Sequence, residues 1–164
     1  MKRSLLQTSQ DSLATPTVSC SASAMHQAVV YLKTDTGINL IYCKSRVASV
    51  KKLATPRLEL LVVLIGVRNL NFAQKQLHLP VNRKFLWTDN HFLVLHLIAS
   101  KKPLPTFDQN RVNEITTTKD INFRYVEANQ NPADLVTRGA SLQDLNKCEP
   151  WWHGPKWLED NEEA

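Results

Sequence analysis

A long apolar segment that contains a single carboxylate places the strongest constraint on the fold of this chain. Residues 58–65 are apolar except for Glu59, and the Thr55-Pro56 pair before them is a favourable helix start, with Thr as N-cap and Pro at the first helical position. The pattern predicts a helix over residues 56–76, with apolar side chains around most of the circumference of its first half. Glu59 is therefore expected in apolar surroundings, where a carboxylate is costly unless it is paired or binds a metal.

Strand and turn signals on both sides of this helix predict an α/β domain. Residues 28–33 and 38–43 are rich in β-branched and aromatic side chains, and Asp35-Thr36-Gly37 between them is a turn signal, so the two segments predict an antiparallel hairpin. The order of elements favours a mixed sheet with helices packed on it. Further strands are predicted near residues 17–21 and over 84–88 and 121–127, and further helices over 91–100, 107–117 and 132–137.

The charge of the chain indicates a class of partner. The 20 Lys and Arg residues outnumber the 15 Asp and Glu residues, and four of the acids lie in residues 158–164. The first 157 residues therefore carry 20 bases and 11 acids, a net charge of +9. A basic body fits a polyanion such as nucleic acid, although a basic protein without such a partner fits the charge equally well.

Cysteine usage and hydropathy bear on the compartment. The three cysteines are far apart and form no C-x-x-C pair, and the N-terminus lacks the long apolar stretch of a secretory signal. The longest apolar run is too short to span a membrane. These features predict an intracellular protein, cytoplasmic or nuclear, with reduced thiols and no membrane partner.

Three segments are expected along the chain. Residues 1–16 are polar and without a clear period, which is typical of a flexible segment. Residues 17–145 hold the predicted strands and helices. Residues 146–164 form a tail that is rich in Trp and then acidic, and we expect its Trp side chains to dock onto the domain rather than to stack with bases.

Two further carboxylates stand at the ends of predicted elements. Asp89 ends the strand over residues 84–88, and Asp134 follows Asn131-Pro132 at a helix start. Ligand sites gather at the carboxyl ends of strands in α/β sheets. Each acid also has a simpler interpretation, since Asp89 could cap a following helix and Asp134 could belong to a capping box. Together with Glu59, these acids suggest one shared cation site, because clustered carboxylates hold Mg²⁺ in many nucleases.

The stretches around these acids form a series of motifs in a defined order. From about residue 28 to residue 158 the sequence resembles the RNase H-like region of BEL/Pao-type LTR retrotransposon polyproteins. The motifs are KSRVA (residues 44–48), PRLELL (56–61), LWTD (86–89), QNRVNEI (109–115), FRYV (123–126), NPADLVTRG (131–139) and WWHGPKWL (151–158).

The resemblance implies an RNase H-like fold, a five-stranded mixed sheet flanked by helices. It also implies a site in which four acids hold two Mg²⁺ or Mn²⁺ ions and activate a water that hydrolyses the RNA of an RNA/DNA hybrid. Three of the four acids carry over by motif, as Glu59, Asp89 and Asp134. The implied partners are RNA/DNA hybrid or another nucleic acid and the other parts of a Pol polyprotein. The bases expected at its phosphates are Lys44, Arg46, Lys51, Lys52, Arg57 and Arg111.

The first acid of the family is absent from this chain. Where the family typically shows Asp-Ala-Ser on a first strand, this sequence reads Ser21-Ala22-Ser23, so we expect the first strand to be degenerate. Serine cannot supply the charge that bridges two divalent cations. Two interpretations remain: a ribonuclease H that is weak or inactive, and a non-catalytic module that binds nucleic acid or has a structural role.

Overall fold

The computed structural model describes residues 15–21, 25–47, 55–78, 83–90, 96, 98–99, 103–137 and 141–160. Its strands are β1 (Thr15–Ser21), β2 (Met25–Thr34), β3 (Gly37–Val47), β4 (Lys84–Thr88) and β5 (Ile121–Tyr125). Its helices are α1 (Thr55–Leu77), α2 (Thr106–Thr117), α3 (Pro132–Thr137), α4 (Leu142–Asn146), α5 (Glu149–His153) and α6 (Trp157–Asp160), with a short 3₁₀ turn at Ala128–Gln130 before α3.

The five strands form one mixed sheet in the order β3-β2-β1-β4-β5. β1 pairs antiparallel with β2, and β2 pairs antiparallel with β3, whereas β1 and β4, and β4 and β5, are parallel. The turn at Asp35-Thr36 joins β2 to β3, where Gly37 has a φ of 130° that favours glycine. β1 is paired on both sides and is a regular central strand. The expected degeneracy of this strand is absent from its backbone, and the departure from the family lies only in its side chains.

α1 covers one face of the sheet. The even-numbered side chains of β1, Val18 and Cys20, are fully buried beneath it. Gly66 lets the helix approach closely, because a Cβ at this position would lie 3.2 Å from Leu86 Cδ1 of β4. The bidentate ion pair of Arg68 and Glu114 joins α1 to α2 at the surface, with contacts of 2.6 and 2.7 Å.

The C-terminal helices cover the opposite face. Trp151 and Leu158 are buried against a cluster that includes Val29 and Trp87 of the sheet. The Tyr31 hydroxyl donates to the Trp151 carbonyl oxygen at 3.1 Å, and the Trp87 and Trp157 rings lie 4.5 Å apart. The expected docking of the Trp-rich segment onto the domain is thus present in the structure.

The mixed five-stranded sheet flanked by helices is confirmed, and the element bounds differ from prediction by a few residues. α1 extends the predicted helix by one residue at each end, β1 begins at residue 15, and β5 ends at residue 125. Most of the helix predicted over residues 91–100 and the first 14 residues of the predicted flexible segment lie outside the described residues. No helix among the described residues is long and apolar enough to cross a membrane.

Candidate metal and nucleic-acid site

Strand direction brings the predicted site residues to one edge of the sheet. β1, β3, β4 and β5 all point the same way, because β3 reverses direction twice relative to β1 and the other pairs are parallel. Ser21 ends β1, and Asp89 immediately follows β4 at the same edge. α1 begins at this edge, and Glu59 in its first turns is buried within reach of Asp89 and Asn90, which follow β4.

Glu59 is a buried carboxylate with one unsatisfied oxygen. Its side chain is 9% exposed, and Oε2 has no hydrogen-bond partner. Burial raises the pKa of Glu59, the Asn90 side chain opposes that shift by hydrogen bonding, and the Asp89 charge adds to it. The prediction that this acid stands in apolar surroundings and near Asp89 agrees with this placement.

Asp89 is half-buried between the other two acids. Burial raises its pKa, a backbone hydrogen bond lowers it, and the charge of Asp134 raises it further. Since Asp89 acts on Glu59 and Asp134 acts on Asp89, the three carboxylates form one electrostatically coupled group.

Asp134 belongs both to a helix start and to this group. Asn131 caps α3 through its Oδ1, which accepts from the Ala133 backbone N–H at 3.0 Å. Asp134 lies in the first turn of the same helix and is 9% exposed. Its Oδ1 accepts from the Ser21 hydroxyl at 3.5 Å, which brings the C-terminal end of β1 to this carboxylate. The capping pattern and the site position are therefore compatible.

The two residues that end β1 are uncharged. Ser21 offers a hydroxyl on the α3 side. Cys20, on the α1 side, is fully buried, and its thiol donates to the Trp87 carbonyl oxygen at 3.4 Å. Burial, and then the charges of Asp89 and Glu59, raise the pKa of the Cys20 thiol, so that it stays protonated. β1 thus contributes polar groups but no negative charge to the edge.

The donor set matches a hard divalent cation only in part. Carboxylate oxygens are the ligands that Mg²⁺ and Mn²⁺ prefer, and the unpartnered Glu59 Oε2 is a donor without a partner. As placed, however, no three His, Cys, Asp or Glu side chains among the described residues enclose a metal position. Asp89 is repelled by Glu59 and by Asp134, and the uncharged end of β1 leaves these acids one short of the four that the sequence resemblance implies.

Among the described residues, the bases predicted to contact phosphates form two groups, Lys44 with Arg46 and Arg57 with Arg111. Lys44 and Arg46 are exposed near the end of β3, at the same edge as the acids, in register with Ala28 and His26. Lys51 and Lys52 lie outside the described residues.

Arg57 and Arg111 meet on one aromatic ring. Their guanidinium carbons lie 5.4 and 3.3 Å from the centre of the Phe107 ring, in the range of cation–π contacts. Arg57 Nε also lies 3.2 Å from the carboxylate of Asp108, which is 8% exposed. Arg111 instead donates to the Phe107 carbonyl oxygen at 2.6 Å, so the one buried acid is paired with Arg57 and this cluster retains positive charge near the start of α1.

Four of the residues that shape this edge have no evident signal in the sequence. Asn90, Asp108 and Phe107 act through partners on other elements, and Cys20 only flanks the missing acid. The nearest signal is adjacency, because Asn90 follows Asp89 and Cys20 precedes Ser21.

The family model of the Pao retrotransposon-like RNaseH-like domain matches residues 1–90, more than half of the chain. The chain belongs to this family. The matched part of the RNase H-like domain includes Ser21, Glu59 and Asp89, and ends before Asp134. The retrotransposon origin and the RNase H-like fold expected from the sequence motifs are thus confirmed.

Several solved structures are similar to this RNase H-like domain. An RNase H1 designated LC11, solved with an RNA/DNA hybrid, aligns at 12% identity and a TM-score of 0.50, covering 72% of this chain and 88% of that chain. RNase H1 of Halobacterium salinarum NRC-1 aligns at 10% identity and a TM-score of 0.46, covering 74% and 89%. A foamy viral protease-reverse transcriptase with RNA/DNA hybrid aligns at 10% identity and 0.43, covering 85% of this chain and 20% of that chain. No curated protein sequence matches the chain.

Proposed function

We propose that this domain binds RNA/DNA hybrids, as a retrotransposon-derived RNase H-like module whose hydrolytic activity is weak or lost. The observation that carries the proposal is the end of β1, where the Ser21 hydroxyl donates to Asp134 at 3.5 Å in a group of three coupled carboxylates. The RNase H-like fold and the three acids support a site of nuclease ancestry, and β1, where the resemblance implies a fourth acid, supplies a hydroxyl instead.

Glu59, Asp89 and Asp134 are the residues that would hold Mg²⁺ or Mn²⁺ at this edge. When bound at such a site, a divalent cation lowers the pKa of a coordinated water and stabilises the charge on the phosphate and leaving oxygen. The protein's own part is to favour the ionised form of Glu59 through its hydrogen bond from Asn90, and to position Asp134 at the capped start of α3. Ser21 can orient Asp134 but cannot neutralise a second cation.

The same observation favours the non-catalytic alternative over full activity. A domain that keeps the sheet, the bases and three acids retains what binding needs, whereas chemistry depends on complete charge compensation at the reacting phosphate. We infer that the domain acts inside the cell, in the cytoplasm or the nucleus. Its proposed protein partners are the other parts of a Pol polyprotein.

Two basic groups provide the surface for the phosphates. Lys44 and Arg46 are exposed at the site edge, and Arg57 with Arg111 form the cluster on Phe107. Lys51 and Lys52, predicted to contact phosphates as well, belong to the same proposal. Phosphate contacts of this kind position a duplex without reading its sequence, and the 2′-OH and A-form-like geometry distinguish a hybrid from DNA.

The proposal is tested by fluorescence anisotropy with a labelled RNA/DNA hybrid and a DNA duplex of equal length. We expect tighter binding of the hybrid, and roughly three- to tenfold weaker binding by Arg111→Gln, with a smaller dependence on salt concentration. Arg68→Gln is the matched control, because it removes the same charge from a side chain that is already held by Glu114. Equal effects of the two substitutions, or no binding of hybrid by the folded protein, would contradict the proposal.

A further inference from the structure

One row of side chains along β3 combines an aromatic ring with two positive charges. β3 is an edge strand of the sheet, and its Tyr42 packs against the core beneath α1. The register of β3 on β2 is regular from Tyr42 to Arg46, and Lys44 is paired with Ala28 of the same core. Because alternate side chains of a strand share a face, Tyr42, Lys44 and Arg46 lie in one row on the α1 side, which we call the β3 row.

α1 adds a second aromatic ring beside the β3 row. The centroids of the Phe72 and Tyr42 rings lie 5.0 Å apart, and the ring planes are inclined at 42°. This contact leaves Phe72 48% exposed. A single exposed aromatic side chain is ordinary on a protein surface, but this one is held by Tyr42 next to two bases. The surface therefore presents a fixed stacking face together with positive charge.

The elements that form this surface hold almost no negative charge. Residues 36–88 include nine Lys and Arg residues but one acid, Glu59, which is buried. Lys44 and Arg46 are exposed, and among the described residues no carboxylate forms an ion pair with either of them. The positive charge of the β3 row is therefore not compensated by the domain itself, which favours a polyanion as its ligand.

The exposed ring selects among polyanions. The phosphates of any nucleic acid can contact Lys44 and Arg46, but a base stacks on Phe72 only where it is not already stacked and paired within a duplex. α1 begins at the edge of the sheet that carries the acids, and Phe72 lies in its second half. The surface therefore leads from Arg46 at that edge away from the carboxylates, along the outside of the sheet.

We propose that the β3 row and Phe72 bind single-stranded nucleic acid, with phosphates on the two bases and one base stacked on the Phe72 ring. The inference goes beyond the proposed function, because it adds a second ligand on a surface next to the one expected to bind the hybrid. A hybrid with a single-stranded overhang would occupy both surfaces at once. Stacking of this kind has little sequence preference, since every base has a face that stacks on an aromatic ring.

The experiment measures binding of a labelled oligouridine to the full chain by fluorescence anisotropy, beside a blunt RNA/DNA hybrid of equal length. We expect Phe72→Ala to weaken oligouridine binding about five- to tenfold and hybrid binding less than about twofold. Phe72→Trp keeps a stacking face and should retain oligouridine binding. Leu77→Ala is the matched control, because Leu77 is an apolar side chain of the same helix that is 40% exposed. No oligouridine binding by the natural chain, or equal effects of Phe72→Ala and Leu77→Ala, would overturn the inference.

A charge substitution covers the case in which Phe72→Ala fails to fold. Lys44→Gln should weaken oligouridine binding about two- to fivefold and reduce its dependence on salt concentration. Lys147→Gln is its control, because Lys147 is exposed at the end of α4, among the helices on the opposite face of the sheet. Equal effects of these two substitutions would also overturn the inference.

The two proposals fail in different ways in these measurements. Binding of the blunt hybrid without any binding of the oligouridine contradicts only the inference about the β3 row. Oligouridine binding that depends on Phe72, without any binding of the hybrid, contradicts only the proposed function.

Discussion

The Asn131 Oδ1 accepts a hydrogen bond from the Ser19 hydroxyl at 2.6 Å, across 112 positions of sequence. The Asn131 amide nitrogen donates to the Cys20 carbonyl at 2.9 Å, and its Oδ1 also accepts from the Ala133 N–H. Asn131 is 2% exposed. One buried side chain therefore ties the central strand to the start of the helix that carries Asp134.

Loss of the Asn131 side chain should destabilise the domain more than loss of the Ser19 hydroxyl. Ser19→Ala should cost about 1 kcal/mol of unfolding free energy, because Asn131 keeps its bonds to Ala133 and Cys20. Asn131→Ala should cost about 2–3 kcal/mol, since it leaves the buried Cys20 carbonyl without this donor and removes the helix cap. Urea unfolding of both single variants and the double variant gives the coupling energy, which we expect near 1 kcal/mol. Additive effects would show that the two side chains do not interact.

The two adjacent tryptophans of α5 should contribute very different amounts to the free energy of unfolding. Trp151 is 4% exposed and lies in the core between the sheet and the C-terminal helices. Trp152 is 40% exposed, and its indole N–H donates to the Leu145 carbonyl oxygen. Trp151→Ala should cost about 3–5 kcal/mol and Trp152→Ala about 1 kcal/mol or less. Thermal unfolding monitored by circular dichroism compares the two variants. Similar losses would mean that the C-terminal segment does not dock as described.

His26 should make stability depend on pH on the acid side. It is buried in β2, its Nδ1 has no partner, and burial lowers its pKa below the ordinary value of 6.5. The unfolded chain then binds a proton more readily than the folded one. The contribution of His26 to stability is therefore complete above about pH 6.5 and is lost as the pH falls toward its lower folded pKa.

His26→Phe removes this titration and keeps a planar ring. The variant should lose less unfolding free energy than the natural chain between about pH 7.5 and pH 5.5, as measured by urea unfolding at each pH. The other titrating groups are common to both proteins, including Glu59 and Asp89 with their raised pKa values, so their effects cancel in this comparison. An equal loss in the two proteins would contradict the placement of His26.

Local patterns were sufficient to predict most elements of this fold. The Thr-Pro start and apolar residues of α1, the turn between β2 and β3, and the cap of α3 act within a few residues, so their signals are visible in the sequence. The five-stranded mixed sheet followed from the order of elements and the family resemblance, and the rule that ligand sites gather at the carboxyl ends of strands led to the prediction of one site for Glu59, Asp89 and Asp134.

Long-range pairing could not be predicted in the same way. The Ser19–Asn131 bond and the Arg57–Asp108 ion pair join residues 112 and 51 positions apart, and neither side chain of each pair indicates its partner. Arg57 was predicted to contact phosphates, and its ion pair with a buried acid depends on how α2 packs on α1. Such contacts are decided by the tertiary structure and leave no local pattern.

The most direct test of the central claim is cleavage of a labelled RNA/DNA hybrid in Mg²⁺ and in Mn²⁺ by four proteins. These are the natural chain, Ser21→Asp, Asp89→Asn, and the variant that combines both changes. We expect little or no cleavage by the natural chain, a clear gain for Ser21→Asp, and loss of that gain when Asp89→Asn is added. Rapid cleavage by the natural chain that Ser21→Asp leaves unchanged would contradict the claim that the uncharged end of β1 limits the chemistry of this domain.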